Sequence, residues 1–200
     1  MKNSTKRPIA VIIILLISLL LGLAIDTVWD VVEKETHPTD FSSYVKLYAH
    51  EYNIPEYVIF AVIETESGFD KDALSSAGAR GLMQMMPSTF EWLTGPEHLG
   101  EKLDPDKLYD PEVAIKYGTY YLNYLYKKFD YNWNTTFAAY NAGEGNVATW
   151  LEDEKYSDES GNLTSIPFKE TARYIEKVND NIEIYKKLYY KNNEGVTENE

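Results

Sequence analysis

The sequence predicts an all-α protein with a single folded domain, preceded by one N-terminal transmembrane helix. Apolar residues recur three and four positions apart along most of the chain, which is the spacing of a helix that packs on one side. No stretch alternates apolar and polar residues as a half-buried strand would. One apolar run without a charge, residues 9–25, is near the shortest length that spans a bilayer.

The N-terminal segment has the charge pattern of a membrane anchor. Three basic residues lie within residues 1–8, and Asp26 follows the apolar run at 9–25. The positive-inside rule then places 1–8 in the cytoplasm and the rest outside, in a single-pass protein of the cell membrane. The alternative is a secreted protein cleaved near Ala24. The run is longer than the usual apolar core of a signal peptide, which favours the anchor.

A short stalk and two helices are predicted next. The acidic segment 26–39 is interpreted as a stalk that can begin helical, and the folded domain is placed at 40–190. Asp40 is expected to cap the first helix of the domain and Asn53 the second. The second helix should end at Gly68, which can adopt the left-handed conformation of a helix cap.

The middle of the chain is predicted to alternate loops and helices. Residues 70–87 are rich in Ser, Ala and Gly, and only Leu82–Met85 is expected to be helical there. Ser88 can cap a helix that ends at Gly95. Residues 96–110 contain Pro and Asp and are expected to form a loop.

The last part of the chain predicts four helices and a tail. Asp110 followed by Pro111 is a strong signal for a helix start. The predicted segments are a helix from there to about Phe129, a short helix over 135–142, a helix capped by Asn146 that ends at Leu151, a surface loop over 152–165, a long helix over about 168–190, and a disordered tail over 191–200.

Composition excludes several classes of function. The net charge is −13, and no basic patch follows the first eight residues, so nucleic-acid binding is not expected. The chain has no Cys, which excludes disulfides and thiol chemistry. The three histidines, His37, His50 and His98, lack the spacing of metal ligands. We therefore expect no metal and no cofactor.

Glu66 is the first candidate for chemistry. It lies in the last turn of the predicted second helix, where the helix dipole disfavours a carboxylate by about 0.3–1 kcal/mol and so raises its pKa. A carboxylic acid that stays protonated near neutral pH can act as a general acid. Glu64 lies two residues earlier and points to nearly the opposite side, so the two cannot face each other. The alternative interpretation is a pair of solvated surface acids.

Three further passages are considered for a binding site. Gly78–Pro87 combines glycines, methionines and Gln84, and taken alone it is interpreted as a loop packed on the core and not as a site. Phe137–Gly143 places an aromatic ring beside an amide at a helix end, where a sugar N-acetyl group could bind, although it is equally an ordinary helix terminus. Tyr174 lies on the last helix, where a core role is the default.

Together, the four passages resemble the catalytic domain of soluble-type lytic transglycosylases, the goose-lysozyme-like branch of the lysozyme superfamily. The resemblance covers about residues 41–190 and implies a lysozyme-like helical fold with an open glycan groove. The matching pieces are Glu66-Ser67, Gly81-Leu82-Met83-Gln84, Ala139-Tyr140-Asn141-Ala142-Gly143, and Pro167-Phe168 through Glu170-Thr171 to Tyr174.

The resemblance also implies an activity and site residues. The substrate would be peptidoglycan, cleaved without water between N-acetylmuramic acid and N-acetylglucosamine, with Glu66 as acid and then as base. A 1,6-anhydro end would result. By the same resemblance the groove residues that bind substrate are Ser67, Met83, Gln84, Tyr140, Asn141 and Tyr174.

Two other functions remain open from the sequence. A muramidase that uses water would need a second carboxylate, for which Glu144, or less favourably Asp72, is the candidate. A silent peptidoglycan-binding scaffold would not need the acid. A regulatory partner at the cell wall is expected, and the sequence does not identify it.

Overall fold

The computed structural model describes residues 6–190, and in that part of the chain the structure is helical, with three isolated β-bridges and no strand. The tail predicted at 191–200 lies outside the described residues, as do residues 1–5. The α-helices are α1 Lys6–Thr36, α2 Ser42–Tyr52, α3 Glu56–Ser67, α4 Pro87–Leu93, α5 Pro111–Lys128, α6 Trp133–Ala142, α7 Glu144–Leu151 and α8 Lys169–Tyr185, with a 3-10 helix at Pro105–Tyr109 and a π-helix at Lys186–Tyr190.

The chain divides into two units, of which the first ends at Pro38 and consists of α1. The segment 26–39, interpreted above as a stalk, is helical as far as Thr36. Within α1, Leu15–Thr36 is long and apolar enough to cross a membrane by length and composition. Its described apolar side chains, such as Leu20 at 64% exposure, are unburied in the protein itself.

The second unit begins at Thr39 and has one hydrophobic core. At its centre is α3, in which six consecutive residues, 58–63, are buried because packed elements surround the helix on several sides. The helix α8 packs along α3, and α2 packs on α5. This burial leaves the two ends of α3 to reach the surface, and its last turn borders a groove.

Two predicted helix starts near α3 are wrong, for a common reason. Phe41 and Asn53 both adopt left-handed backbone conformations, with φ of 60° and 53°. Phe41, rather than Asp40, therefore precedes α2, and Asn53 ends α2 instead of capping α3. Asn tolerates this conformation because its short polar side chain bonds locally, and its backbone N–H donates to the Ala49 carbonyl. The predicted end of α3 at Gly68 is confirmed.

Later boundaries also shift by a few residues. Pro87 begins α4, so Ser88 lies inside that helix, and Asn132 caps α6 by accepting from the Thr135 N–H at 3.1 Å. Gly143, with φ of 87°, allows α7 to follow α6 at once. Asn146 therefore lies inside α7. The predicted cap at Asp110 is confirmed, because its carboxylate accepts from the backbone N–H of Glu112.

The loop 70–87 folds back on itself beside the end of α3. The backbone of Arg80 forms isolated β-bridges with both Leu74 and Met85. The predicted helical piece at Leu82–Met85 is instead a series of turns that ends at the bridge residue Met85. At Gly81, φ is 71° and a Cβ would lie 1.9 Å from the Leu108 carbonyl oxygen, so only glycine fits. Leu108 belongs to the 3-10 helix Pro105–Tyr109, which lies in the segment predicted to be a loop.

Candidate active site

Glu66 lies in the last turn of α3, one residue before its end at Ser67. Its carboxyl group is largely enclosed but opens to a groove. Burial raises the pKa of Glu66 to about 7, against a smaller lowering by the Tyr174 hydroxyl. Desolvation raises a carboxyl pKa because it disfavours the charged form. A group with this pKa is protonated in a large fraction of molecules near neutral pH, as a general acid must be.

Two tyrosines lie beside the acid. The Tyr140 hydroxyl donates to the Met83 carbonyl at 2.9 Å, and the Tyr174 hydroxyl is buried next to the Glu66 carboxyl without a hydrogen bond of standard geometry. Burial first, and then the charge of Glu66, raises the pKa of both tyrosines well above the ordinary value. Both hydroxyls therefore keep their protons, and the Tyr174 hydroxyl is a donor that lies next to the acid.

Glu66 lies where two openings of one groove meet. The larger, of about 540 Å³, is lined by Glu66 and by Ser75, Ser76, Ala77, Ala79, Gln84, Met85, Met86, Thr89, Tyr121, Tyr140, Asn141, Ala142, Gly143 and Glu170. The smaller, of about 440 Å³, is lined by Thr65, Glu66, Asn141, Glu170, Arg173, Tyr174 and Lys177. An elongated ligand lying through both would pass directly over the acid.

Ser67 and Met83 do not face this groove. The Ser67 hydroxyl donates to the Leu82 carbonyl at 2.8 Å, which ties the end of α3 to the loop 70–87. The Met83 side chain is 1% exposed and packs against Gly118 of α5. The expectation that Met83 lines the groove is therefore wrong. Its neighbours Met85 and Met86 contribute to the wall instead, while the Met83 carbonyl holds the Tyr140 hydroxyl.

Gln84 has a part in the loop as well as in the groove wall. Its backbone is left-handed, with φ of 44°. Its side-chain nitrogen donates to the carbonyls of Ala73 and Gly81, at 3.1 and 2.9 Å. These bonds hold the folded-back loop and leave the amide oxygen as the group that Gln84 can offer to a ligand.

Asn141 is exposed at the junction of the two openings. Its Oδ1 accepts from the hydroxyl of Thr171 at 2.8 Å, and Thr171 is 2% exposed at the start of α8. Since the amide oxygen is occupied, the NH₂ group remains to donate into the groove. This orientation suits a carbonyl acceptor on a ligand.

The carboxylates considered for a hydrolase lie elsewhere. Glu144 pairs with Lys128 at 2.9 Å and Asp72 with Lys71 at 2.8 Å, and neither lines the two openings. Glu170 does line both openings. It was not predicted as a site residue, although it lies between Pro167 and Tyr174 in the last of the four matching pieces. Within residues 6–190, no group of His, Asp or Glu side chains is placed to hold a metal ion.

The sequence has clear relatives. Residues 43–162 match the family described as the transglycosylase SLT domain. The chain is 37% identical over 151 residues to the soluble lytic murein transglycosylase of Escherichia coli K12, covering 75% of this chain and 23% of that protein. It is 33% identical over 129 residues to membrane-bound lytic murein transglycosylase D of the same organism, covering 63% and 27%. The chain thus spans about a quarter of the length of these relatives.

Solved structures agree. The 70-kDa soluble lytic transglycosylase of Escherichia coli superposes with a TM-score of 0.70 at 35% identity, over 78% of this chain and 25% of that chain. An inactive mutant of the lytic transglycosylase Slt from Pseudomonas aeruginosa, in which a glutamate is replaced by glutamine, gives 0.67 at 33% identity, over 76% and 24%. The predicted lysozyme-like, all-α fold with an open groove is confirmed. The chain belongs to the SLT-domain family of transglycosylases.

Proposed function

We propose that this protein is a peptidoglycan lytic transglycosylase, in which Glu66 cleaves the β-1,4 bond between N-acetylmuramic acid and N-acetylglucosamine. The observation that carries the proposal is one carboxyl group with a pKa of about 7 at the junction of two openings of a groove. Family membership supports the same reaction. An inactive glutamate-to-glutamine mutant of a relative agrees with a glutamate that is essential.

The reaction needs one proton, given and then recovered. Protonated Glu66 donates to the glycosidic oxygen, the bond to the muramic anomeric carbon breaks, and the N-acetylglucosamine side leaves with the proton. The 2-acetamido group of the muramic sugar stabilises the positive charge at that carbon. The Glu66 carboxylate then takes the proton of the 6-hydroxyl of the same sugar, whose oxygen bonds to the anomeric carbon. Because nucleophile and electrophile are in one ring, the effective molarity is high.

The surrounding residues have supporting roles in this proposal. The Tyr174 hydroxyl donates towards the carboxylate that forms after the first proton transfer. The Asn141 NH₂, held outward by Thr171, binds the acetamido carbonyl. Gln84 offers its amide oxygen from the wall of the larger opening. Tyr140 fixes the Met83 carbonyl, and Ser67 fixes the loop to α3. Ser67 and Met83 thus act through structure.

We also propose that α1 anchors the protein in the cytoplasmic membrane with the catalytic unit outside. Three basic residues precede the apolar run, and Leu15–Thr36 is a sufficient span. Relatives named membrane-bound support an anchor. A cleaved leader would export the same unit without retaining it. Fractionation of cells and N-terminal sequencing of the mature protein distinguish the two.

A hydrolase in the same groove is the second candidate, because Glu170 lines both openings. In this candidate Glu170 would activate a water as the second carboxylate. The two reactions need different residues. The transglycosylase requires Glu66 and tolerates Glu170→Gln, provided that the glutamine occupies the same place in the groove wall. The hydrolase requires both carboxylates.

Replacement of Glu66 tests the proposed acid. We expect Glu66→Gln to fold and to bind glycan strands but to lyse purified cell walls at least about 100-fold more slowly, since general acid catalysis contributes that much or more. Glu91→Gln is the matched control, an exposed glutamate on α4 outside both openings. Lysis by Glu66→Gln at the wild-type rate would contradict the assignment of Glu66 as the acid.

A further inference from the structure

A row of three basic residues runs along α8. Lys169, Arg173 and Lys177 are four positions apart, so they share one face of the helix with about 6 Å of rise between neighbours. All three are exposed. Among the described residues none of the three is within ion-pair distance of a carboxylate. In a chain with a net charge of −13, unpaired cations in a row are available for an anionic ligand.

The row borders the catalytic acid. Arg173 and Lys177 line the smaller opening together with Glu66, Tyr174 and the exposed Glu170. The larger opening on the other side of Glu66 is lined by no basic residue. Among the residues that line the two openings, the basic ones therefore belong to the smaller opening only.

The glycan strand itself poses a problem of register that such an asymmetry can solve. Its two sugars alternate and share the 2-acetamido group, so contacts to that group alone cannot tell which of the two lies on a given side of Glu66. Only the muramic sugar carries a lactyl ether, which ends either in a carboxylate or in a stem peptide that bears carboxylates. A cationic subsite on one side of the acid would fix the muramic sugar there.

We propose that Arg173 and Lys177 form a carboxylate-binding subsite that sets the register of the glycan strand over Glu66, with Lys169 extending it. This proposal rests on the proposed function and names the part of the substrate that these residues recognise. The Arg173 guanidinium can bind a carboxylate with two parallel hydrogen bonds, and the Lys177 ammonium adds a point charge. An extended peptide rises about 3.3 Å per residue, so carboxylates two residues apart match the spacing of the row.

The test measures binding in the full-length Glu66→Gln protein, which cannot consume its ligand if Glu66 is the acid. Arg173→Gln combined with Lys177→Gln is titrated with three ligands: peptide-bearing glycan strands, strands stripped of peptide by an amidase, and chito-oligosaccharide, which has no carboxylate. We expect the dissociation constant for peptide-bearing strands to rise about 3- to 10-fold, as for two exposed charge pairs. Binding of chito-oligosaccharide should not change.

The second ligand identifies the source of the carboxylate. A loss confined to peptide-bearing strands assigns the subsite to the stem peptide, and a loss for stripped strands as well assigns it to the lactyl carboxylate. Lys46→Gln combined with Lys107→Gln is the control, because these exposed lysines lie outside both openings and removing them changes the net charge by the same amount.

Three results would overturn the subsite. They are an unchanged dissociation constant for every ligand, an equal loss for chito-oligosaccharide, and an equal loss in the control variant. Retained lysis by Glu66→Gln is a separate outcome, since it contradicts the proposed acid while the binding titration still decides the subsite.

Discussion

At the scale of single residues, the site depends on a carboxyl group placed where its charge is costly. The sequence indicated a raised pKa from the position of Glu66 at a helix end, but the main cause in the structure is burial. Helix position can be derived from capping signals near Gly68. The groove that encloses Glu66 cannot be derived from local signals, because its walls come from distant parts of the chain such as Ser75, Tyr140 and Tyr174.

The pKa of Glu66 predicts a pH dependence of both activity and stability. Activity should fall as the pH rises through about 7, where the acid loses its proton. The folded pKa is above the ordinary 4.5, so the proton stabilises the fold at low pH and this contribution is lost as the pH rises from 4.5 to about 7. Glu66→Gln should therefore gain Tm relative to wild type over that interval. A Tm difference that is constant from pH 4 to pH 8 would contradict a buried, raised carboxyl group.

Thr171 is predicted to position Asn141. Thr171→Val removes the hydroxyl that holds the amide at 2.8 Å, so the NH₂ group loses its fixed direction. We expect kcat/KM on soluble glycan strands to fall about 3- to 10-fold, the value of one hydrogen bond, mostly through KM. Thr171→Ser keeps the hydroxyl and should retain activity. A Thr171→Ser variant as impaired as Thr171→Val would show that packing, and not the hydrogen bond, matters.

At the scale of elements, the success of the sequence prediction followed the strength of local signals. The start of α5 was predicted correctly because Asp110 and Pro111 act locally. The 3-10 helix Pro105–Tyr109 and the turns at Leu82–Met85 were missed, because they depend on each other through the contact between Gly81 and Leu108. Met83 was assigned to the groove by the family resemblance, and it is buried because Gly118 leaves room for it.

The contact between Gly81 and Leu108 gives a prediction for the stability of the loop 70–87. Gly81→Ala places a Cβ 1.9 Å from a backbone oxygen at φ of 71°. We expect it to lower the free energy of unfolding by about 3 kcal/mol or more, as strain and clash combine. Gly100→Ala is the matched control, because Gly100 has the same φ of 71° with nothing within 4 Å, and it should cost only about 1 kcal/mol. Denaturant unfolding measures both values. If Gly81→Ala and Gly100→Ala lower the free energy of unfolding equally, the loop 70–87 does not contact the 3-10 helix.

At the scale of the whole molecule, the two units have separate tasks in the proposed function. The charge pattern around residues 9–25 predicted export, and the unit from Thr39 onwards contains the core and the groove. We expect a chain that begins at Thr39 to fold, to remain in the soluble fraction and to lyse purified walls. The full chain should sediment with membranes. Sedimentation of both chains, measured by immunoblotting of cell fractions, would contradict α1 as the anchor.

The central claim is that one acid cleaves the strand while the sugar itself replaces water. The most direct measurement is mass spectrometry of the fragments released from purified peptidoglycan by the wild-type protein. The account predicts muramic ends that are lighter by one water than a reducing end, in wild type and in Glu170→Gln alike. Fragments with ordinary reducing ends, whose formation stops when Glu170 is replaced, would contradict it.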